Sequence, residues 1–301
     1  MPFKLSLSVF LFLLTSQSIA QKLQIFDVTF NLKNQTDTFA FISLSDSYNL
    51  SENFDSLAIP SLEDEDISKA KDFEYIKLDG SYRKLFLDRT KVSESDNVFI
   101  YSYSKNRLIS LPVSSLTVVA CLNMYGGDWP YKQFDYMIGF EIDTKLISEY
   151  GTNMVSIGKK SPFVLNQLKP ITWTKIDANL FPKNTSDSII NSNLFLGDTY
   201  TYESNGLQYF TQDFLESRES IIAVKQLLVI DCKTKKIVCK KQYDAGESTS
   251  IADLNEQWTG NLFKNESPVI FGFLWPSFGC PSITFLYNSA NELYINCDNR
   301  H

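Results

Sequence analysis

The chain has 301 residues, a formal net charge of −7 and 44% hydrophobic residues. This composition excludes a disordered tail, because enough apolar side chains are present to fill a core. The net negative charge and the dispersed Lys and Arg residues argue against a nucleic-acid partner, since phosphate binding needs a concentrated basic surface.

Residues 1–20 have the three-part order of a cleavable signal peptide. Lys4 supplies a positive charge and an apolar run from Leu5 to Leu14 follows it. Ser18 and Ala20 then occupy the small-residue positions before the cleavage point. The apolar run is short for a membrane span, and no later stretch approaches the necessary length. We therefore expect an exported protein, periplasmic, on the cell surface or extracellular, with no transmembrane segment after cleavage.

The first predicted elements are a short helix and a hairpin. Ser61 begins a capping-box pattern with acidic residues in the first turn, which predicts a helix over Leu62–Asp72. Apolar residues then alternate over 73–78 and 82–87, on either side of Asp79-Gly80. Asp-Gly suits the positive φ of a tight turn, so this segment predicts a β-hairpin.

A second hairpin and a well-marked strand follow. Residues 98–103 and 108–111 flank a polar turn and predict two paired strands. In the segment 134–142, apolar residues fall on one face, opposite Asp135, Gly139 and Glu141. This period of two indicates a strand with one buried and one solvated face.

The pattern changes between residues 144 and 170. Thr144–Tyr150, which precedes Gly151, is a weaker helix candidate. Glycines and prolines then interrupt the alternation over 151–170. We expect a β-rich region over residues 21–150 and another over 165–301, either as two domains or as one continuous domain.

The C-terminal half contains further hairpins. Residues 199–203 and 207–210 flank Asn205-Gly206, which predicts a third hairpin. In the segment 227–239, the predicted register places Cys239 opposite Leu228, four residues along the strand from Cys232. That separation is roughly 13 Å, too far for a disulfide between these two cysteines.

The last elements are a helix candidate and a terminal hairpin. Ser250 precedes the candidate helix Ile251–Trp258. If residues 289–291 form the turn of the last hairpin, then Ile283, Phe285 and Tyr287 face Leu293, Ile295 and Cys297. Cys280 lies just outside this ladder, so we predict a Cys280–Cys297 disulfide, which the register allows but does not force. The odd total of five cysteines leaves at least one thiol outside an internal disulfide.

Many short strands and few helices predict a mostly β fold. The leading architecture is an antiparallel β-sandwich, or two packed sandwich-like halves, with a few short helices.

Two loops rich in aromatic residues are the candidate binding sites. Glycine, proline and aromatic residues in such loops also plug the ends of β-sandwiches, and that structural role is the alternative. The aromatic rings could stack on the faces of sugars, and Asp128 could accept hydrogen bonds from sugar hydroxyls. The candidate residues are Tyr125, Asp128, Trp129 and Tyr131 in the first aromatic loop (125–131), and Trp275 and Phe278 in the second (273–278).

Several classes of enzyme are disfavoured. The one histidine, His301, is the last residue, and a frayed terminus does not orient an imidazole for catalysis or metal binding. The nucleotide-binding glycine motifs are absent, so we expect no cofactor. The leading hypothesis is therefore a non-enzymatic exported protein that binds a cell-envelope protein or a glycan. The alternatives are a carbohydrate-active enzyme that uses an Asp/Glu pair and a structural subunit of a surface assembly.

Overall fold

The computed structural model describes residues 23–33, 37–48, 50, 59–147, 151–182, 194–216, 221–277 and 279–299. The predicted signal peptide, Phe278 and His301 lie outside these residues.

The predicted mostly β fold is confirmed. The described helices are one α-helix, α1 (Ser81–Thr90), and the 3-10 helices Ile67–Phe73, Val113–Ser115, Gln133–Asp135, Thr144–Leu146 and Ala178–Leu180. The described strands are β1 (Ile25–Phe26), β2 (Thr29–Leu32), β3 (Thr38–Ser43), β4 (Tyr75–Lys77), β5 (Asn97–Ser102), β6 (Arg107–Pro112), β7 (Thr117–Leu122), β8 (Tyr136–Ile142), β9 (Asn153–Gly158), β10 (Leu168–Pro170), β11 (Thr174–Ile176), β12 (Phe195–Ser204), β13 (Leu207–Leu215), β14 (Ile222–Asp231), β15 (Ile237–Asp244), β16 (Thr249–Ile251), β17 (Trp258–Gly260), β18 (Val269–Phe271), β19 (Leu274–Pro276), β20 (Ser282–Phe285) and β21 (Glu292–Asn296).

The described strands form four sheets. The central sheet has nine strands in the order β10-β17-β18-β20-β21-β1-β9-β5-β6. The N-terminal sheet has the order β2-β3-β8-β7-β4, the C-terminal sheet the order β11-β12-β13-β14-β15, and β16 pairs with β19. The pairing of β1 with β21 is parallel. The central sheet takes strands from both sides of residues 151–164, and the division into two regions at that point stays a prediction.

Hydrophobic cores join the central sheet to its neighbours. In the first core, Phe26, Val98, Ile100 and Val155 of the central sheet pack with Ala40, Ile42, Ile138 and Phe140 of the N-terminal sheet. The second core includes Ile25, Tyr101, Ile283 and Ile295 of the central sheet, packed with Phe163 and Phe263. In the third core, Ile270 and Leu286 pack with Tyr209, Leu227 and Val229 of the C-terminal sheet.

The second and third predicted hairpins and the predicted strand over 134–142 are confirmed. The strands over 98–103 and 108–111 correspond to β5 and β6, which pair antiparallel. The third hairpin corresponds to β12 and β13, and Asn205 and Gly206 both have positive φ in the turn between them. The apolar face of β8 is buried as expected, with Tyr136, Ile138, Phe140 and Ile142 all in the first core.

The predicted strand over 82–87 is wrong, because this segment belongs to helix α1. Its consecutive apolar residues Leu85, Phe86 and Leu87 fit a strand as well as a helix. In the helix, Phe86 and Thr90 are buried on the same side, one turn apart. The ring of Phe86 packs edge-on against Phe140 at 5.3 Å. Tertiary packing therefore decides the conformation of this segment.

The predicted helices are shorter than expected or absent. The helix expected over Leu62–Asp72 is a 3-10 helix at Ile67–Phe73, where the Asp66 side chain accepts a hydrogen bond from the Ser68 N–H at 2.8 Å. The candidate at Thr144–Tyr150 is a 3-10 turn at Thr144–Leu146 within the described residues. The helix expected over Ile251–Trp258 is wrong, since its two ends belong to β16 and β17.

Two observed strand registers differ from the predicted ones. Cys239 faces Val229, not Leu228, because an irregularity in the β14–β15 ladder adds one residue. Cys232 and Cys239 are both free thiols, in agreement with the predicted absence of a bond between them. In the last hairpin, the predicted turn would place Ile283 opposite Cys297. Ile283 instead faces Leu293, because residues 286–291 form a longer loop than the predicted turn.

A disulfide joins Cys280 and Cys297, the predicted pair, with an S–S distance of 2.08 Å. It links the segment before β20 to the segment after β21, two strands that pair directly. The remaining cysteines, Cys121, Cys232 and Cys239, are not part of a disulfide. Burial raises the pKa of the Cys239 thiol to about 12, so it is not a reactive thiolate at neutral pH.

We predict that Gly139→Ala strongly destabilises the fold. A Cβ atom at Gly139 would lie 1.9 Å from the carbonyl oxygen of Ile42, on the neighbouring strand β3. We expect the free energy of unfolding in urea to fall by about 3 kcal/mol or more. Gly246→Ala is the control, because the nearest atom to its Cβ would be at 3.9 Å. Equal effects of the two substitutions would contradict the close approach of β3 and β8.

We predict that removal of the disulfide by Cys280→Ser with Cys297→Ser lowers the free energy of unfolding by about 3 kcal/mol, since the bond closes a short loop in the unfolded chain. Urea unfolding measures the difference. Cys232→Ser, at a half-buried free thiol, is the control and should change stability by less than about 0.5 kcal/mol. A double variant as stable as this control would rule out a stabilising role for the bond.

Candidate functional site

The first aromatic loop has two exposed candidate residues and two packed ones. Tyr125 and Asp128 are exposed to solvent. Trp129 and Tyr131 are partly buried and pack on the first core. The Trp129 ring lies 5.7 Å from Phe73 and 5.3 Å from Tyr131, measured between ring centroids. The structure therefore gives these two rings a packing role, and their contact with a ligand stays a prediction.

The carboxyls near this loop hold the structure together. Asp135 was expected on a solvated face but is buried, and it accepts hydrogen bonds from the N–H groups of Gly127 and Lys132 at 2.8 and 2.7 Å. Glu141 forms an ion pair with Lys33 and accepts a hydrogen bond from the Tyr75 hydroxyl. Both carboxyls are thus engaged with other groups of the fold.

The second aromatic loop contributes to a large cavity. Trp275 lies in β19, opposite Ser250 of β16, and is 52% exposed. It lines a cavity of about 930 Å³ between β15, the β16–β19 pair and strands of the central sheet. Phe278, the other candidate here, lies outside the described residues. The structure does not place Tyr125, Asp128, Trp129 or Tyr131 along this cavity.

Three aromatic rings from different elements form one part of the cavity wall. Tyr103, after β5, packs edge-on against Trp258 of β17 at 5.1 Å and against Phe271 of β18 at 5.4 Å. The Tyr103 hydroxyl donates a hydrogen bond to the Gly151 carbonyl at 2.8 Å. Edge-to-face packing and this hydrogen bond fix the orientation of the Tyr103 ring.

A second part of the wall combines stacked and exposed rings. Tyr243 of β15 and Phe273 are stacked in parallel, with ring centroids 4.7 Å apart. Trp275 and Tyr294 also line the cavity, and they are 52% and 60% exposed. The stacked pair is held by packing, whereas more than half of the surface of Trp275 and of Tyr294 is exposed to solvent.

Asp27 is a carboxyl in largely apolar surroundings. It follows β1 directly and lines the cavity. Its Oδ1 accepts a hydrogen bond from the Val28 N–H at 2.8 Å. Burial raises the pKa of Asp27 to about 6, although the Val28 hydrogen bond favours the charged form. Burial and the nearby charges of Asp27 and Glu256 also raise the pKa of Tyr103, so that hydroxyl stays protonated.

The other charged groups along the cavity are Glu256, Glu292 and Lys241. Lys241 and Glu292 form an ion pair at 2.7 Å. Glu256 lies on the loop before β17, and this loop approaches Gly272 closely. A Cβ atom at Gly272, which has a φ of 89°, would lie 2.2 Å from the Glu256 carbonyl oxygen. The absence of a side chain at Gly272 thus allows the Glu256 loop to reach the cavity.

No group of three or more His, Cys, Asp or Glu side chains is arranged to hold a metal ion in the described part of the chain. Among the described helices, none combines the length and the hydropathy that a membrane span requires. No protein-family model, curated protein or solved structure matches this chain. The cavity itself is therefore the basis for a functional proposal.

Sequence reasoning identified Trp275 but missed the charged groups of the cavity. Trp275 lies in a local cluster of aromatic residues, which is visible in the sequence. Asp27 and Glu256 belong to no motif, and they line one cavity only because distant strands pair in the central sheet. Tyr103 was visible only as the end of a predicted strand.

We predict that Asp27 makes the stability depend on pH. The folded state keeps the Asp27 proton up to about pH 6, whereas the unfolded chain releases it near the usual pKa of 3.8. The free energy of unfolding should therefore fall as the pH rises through this window, by about 2 to 3 kcal/mol for this group. Asp27→Asn, which retains the acceptor for Val28, should be more stable than the parent at pH 7 by about that amount and equally stable near pH 4.

Urea unfolding at the two pH values measures this difference. Asp128→Asn is the matched control, since it makes the same substitution at an exposed position. The same stability difference between Asp27→Asn and the parent at both pH values would show that Asp27 ionises normally in the folded protein.

Proposed function

We propose that this protein is an exported binding protein whose cavity holds a glycan without chemical turnover. The observation that carries this proposal is the aromatic cavity of about 930 Å³. Its volume is in the range of small-molecule sites, about 300 to 1,000 Å³. A concave site of this size suits a few linked sugar rings better than the surface of a protein partner, which would need a broad contact area.

The chemistry of the cavity wall supports a glycan. The C–H faces of sugar rings are apolar, and Trp275 and Tyr294 offer open aromatic surface to them. Polar side chains at the same cavity, including Asn255 and Gln242, could bond to the hydroxyls at the sugar edges. An apolar wall with a few polar groups is typical of sites that fix the orientation of a ligand.

Two observations support export. The predicted signal peptide over 1–20 would send the chain out of the cytoplasm. The Cys280–Cys297 disulfide is compatible with an oxidising compartment, where such bonds persist.

We predict that Trp275→Ala weakens glycan binding about tenfold or more, because an aromatic residue in the centre of a binding site supplies a large part of the affinity. The parent protein is first screened on a glycan array, and calorimetry then measures Kd for the best soluble oligosaccharide. Tyr125→Ala is the matched control, since Tyr125 is 60% exposed but lies in the first aromatic loop, away from the cavity.

The same titrations separate the two aromatic loops. An unchanged Kd for Tyr125→Ala, with a weaker Kd for Trp275→Ala, is the expected result. Loss of binding with Tyr125→Ala or Trp129→Ala, but not with Trp275→Ala, would move the site to the first aromatic loop. A blank array with a stoichiometric protein captured from the host envelope would favour the protein-binding hypothesis or the assembly subunit.

A carbohydrate-active enzyme is the second candidate. The observation that favours it is that two carboxyls, Asp27 and Glu256, line the same cavity, and that burial raises the pKa of Asp27 to about 6. One protonated and one ionised carboxyl are what glycoside hydrolysis requires. Release of reducing sugar from the bound glycan, abolished by Asp27→Asn, would favour the enzyme over the binding protein.

A further inference from the structure

The charges of the cavity are unbalanced. Among the described residues that line it, the acidic side chains are Asp27, Glu256 and Glu292, and the basic side chain is Lys241. Lys241 and Glu292 compensate each other in an ion pair at 2.7 Å. Apart from this ion pair, the described lining contains the carboxyls of Asp27 and Glu256 and no basic side chain.

Neither remaining carboxyl is paired with a cation in the described structure. The hydrogen bond to the Asp27 carboxyl comes from the Val28 backbone N–H, and the described ion pairs do not include Asp27 or Glu256. Glu256 lies two residues before Trp258, whose ring packs against Tyr103, and Asp27 lines the same cavity. Burial and the charges of Asp27 and Glu256 raise the pKa of the Tyr103 hydroxyl. A carboxyl that is removed from water without a cation is costly, and a cation brought by a ligand would offset this cost.

The neighbouring rings also favour a cation. Tyr103, Trp258 and Phe271 pack together at this side of the cavity. Aromatic faces carry partial negative charge and attract ammonium groups, most strongly where water is excluded. The net charge of −7 adds a long-range attraction for cations and repels anions.

On the basis of the proposed glycan-binding function, we infer that the ligand is a glycan with free amino groups, whose ammonium binds beside Tyr103 between the carboxylates of Asp27 and Glu256. The sugar rings stack on Trp275 and Tyr294, and the ammonium supplies the missing positive charge. A neutral glycan of the same shape makes the stacking contacts but leaves both carboxylates without a cation. A glycan with carboxylate or sulfate groups is repelled.

Calorimetric titration with three hexasaccharides tests this inference slightly below neutral pH. The β-1,4-linked glucosamine hexamer has an amino group on each ring, its N-acetylated form has a neutral amide there, and the cellulose hexamer has a hydroxyl. We expect the glucosamine hexamer to bind at least about tenfold more tightly than either neutral hexamer. We also expect its affinity, and not that of the neutral hexamers, to fall as salt is added.

Two variants and one control assign the effect. Asp27→Asn and Glu256→Gln should each weaken binding of the glucosamine hexamer about tenfold and leave the neutral hexamers unchanged. Retained binding of the neutral hexamers shows that each variant is folded. Glu266→Gln removes the same charge at an exposed position outside the cavity, and it should have no effect on any hexamer.

The outcomes separate this inference from the proposed function. Equal affinity for all three hexamers would overturn the inference and leave glycan binding intact. No binding of any hexamer, with none on the array, would overturn both. Spermine, a polyamine without sugar rings, is the last probe. If spermine binds as tightly as the glucosamine hexamer, the sugar part of the inference is wrong.

Discussion

The two-residue strand β1 is the constraint on which the central sheet depends. Ile25 and Phe26 lie between β21, on the parallel side, and β9, on the antiparallel side. The Asn296 side chain donates to the Ile25 carbonyl, and the Asn296 carbonyl accepts from the Asp27 N–H, both at 2.8 Å. Because successive residues of a strand point to opposite faces, Ile25 packs in the second core and Phe26 in the first. Two residues thus join the two parts of the sheet and bury a side chain on each face.

The position of β1 also determines which carboxyl lines the cavity. Asp27 follows β1 directly, so the pairing that completes the sheet also brings a carboxyl to the cavity wall. Lys241 pairs with Glu292, whereas the described residues form no such ion pair with Asp27. A group kept in an unfavourable environment at a binding site is a recurrent compromise between stability and function. In the binding site proposed above, this compromise lies on one side of the cavity, beside the ring of Tyr103.

Elements with local sequence signals were mostly predicted correctly. Predictions were wrong where contacts between distant residues determine the conformation. Asn205-Gly206 fixes a turn by its own backbone preferences, and the alternation in β8 fixes which face is buried. Residues 82–87 follow a local turn signal, Asp79-Gly80, that predicts a strand, yet they are helical and Phe86 packs against Phe140. Trp275 was identifiable because aromatic residues cluster around it in the sequence. Asp27 was not identifiable as a site residue, because its place at the cavity follows from a parallel pairing that no short pattern encodes.

The long-range character of this pairing also affects how the chain is made. The hydrogen bond between Asn296 and Ile25 joins residues 271 positions apart. Until residue 296 has left the ribosome, β1 has no β21 to pair with, and the parallel edge of β1 stays open. Pairing between strands that are distant in the sequence is slow, and the unpaired strand edge stays exposed until the pairing forms. A nascent chain can build its hairpins early, but the cavity comes into existence only after synthesis of its last strand.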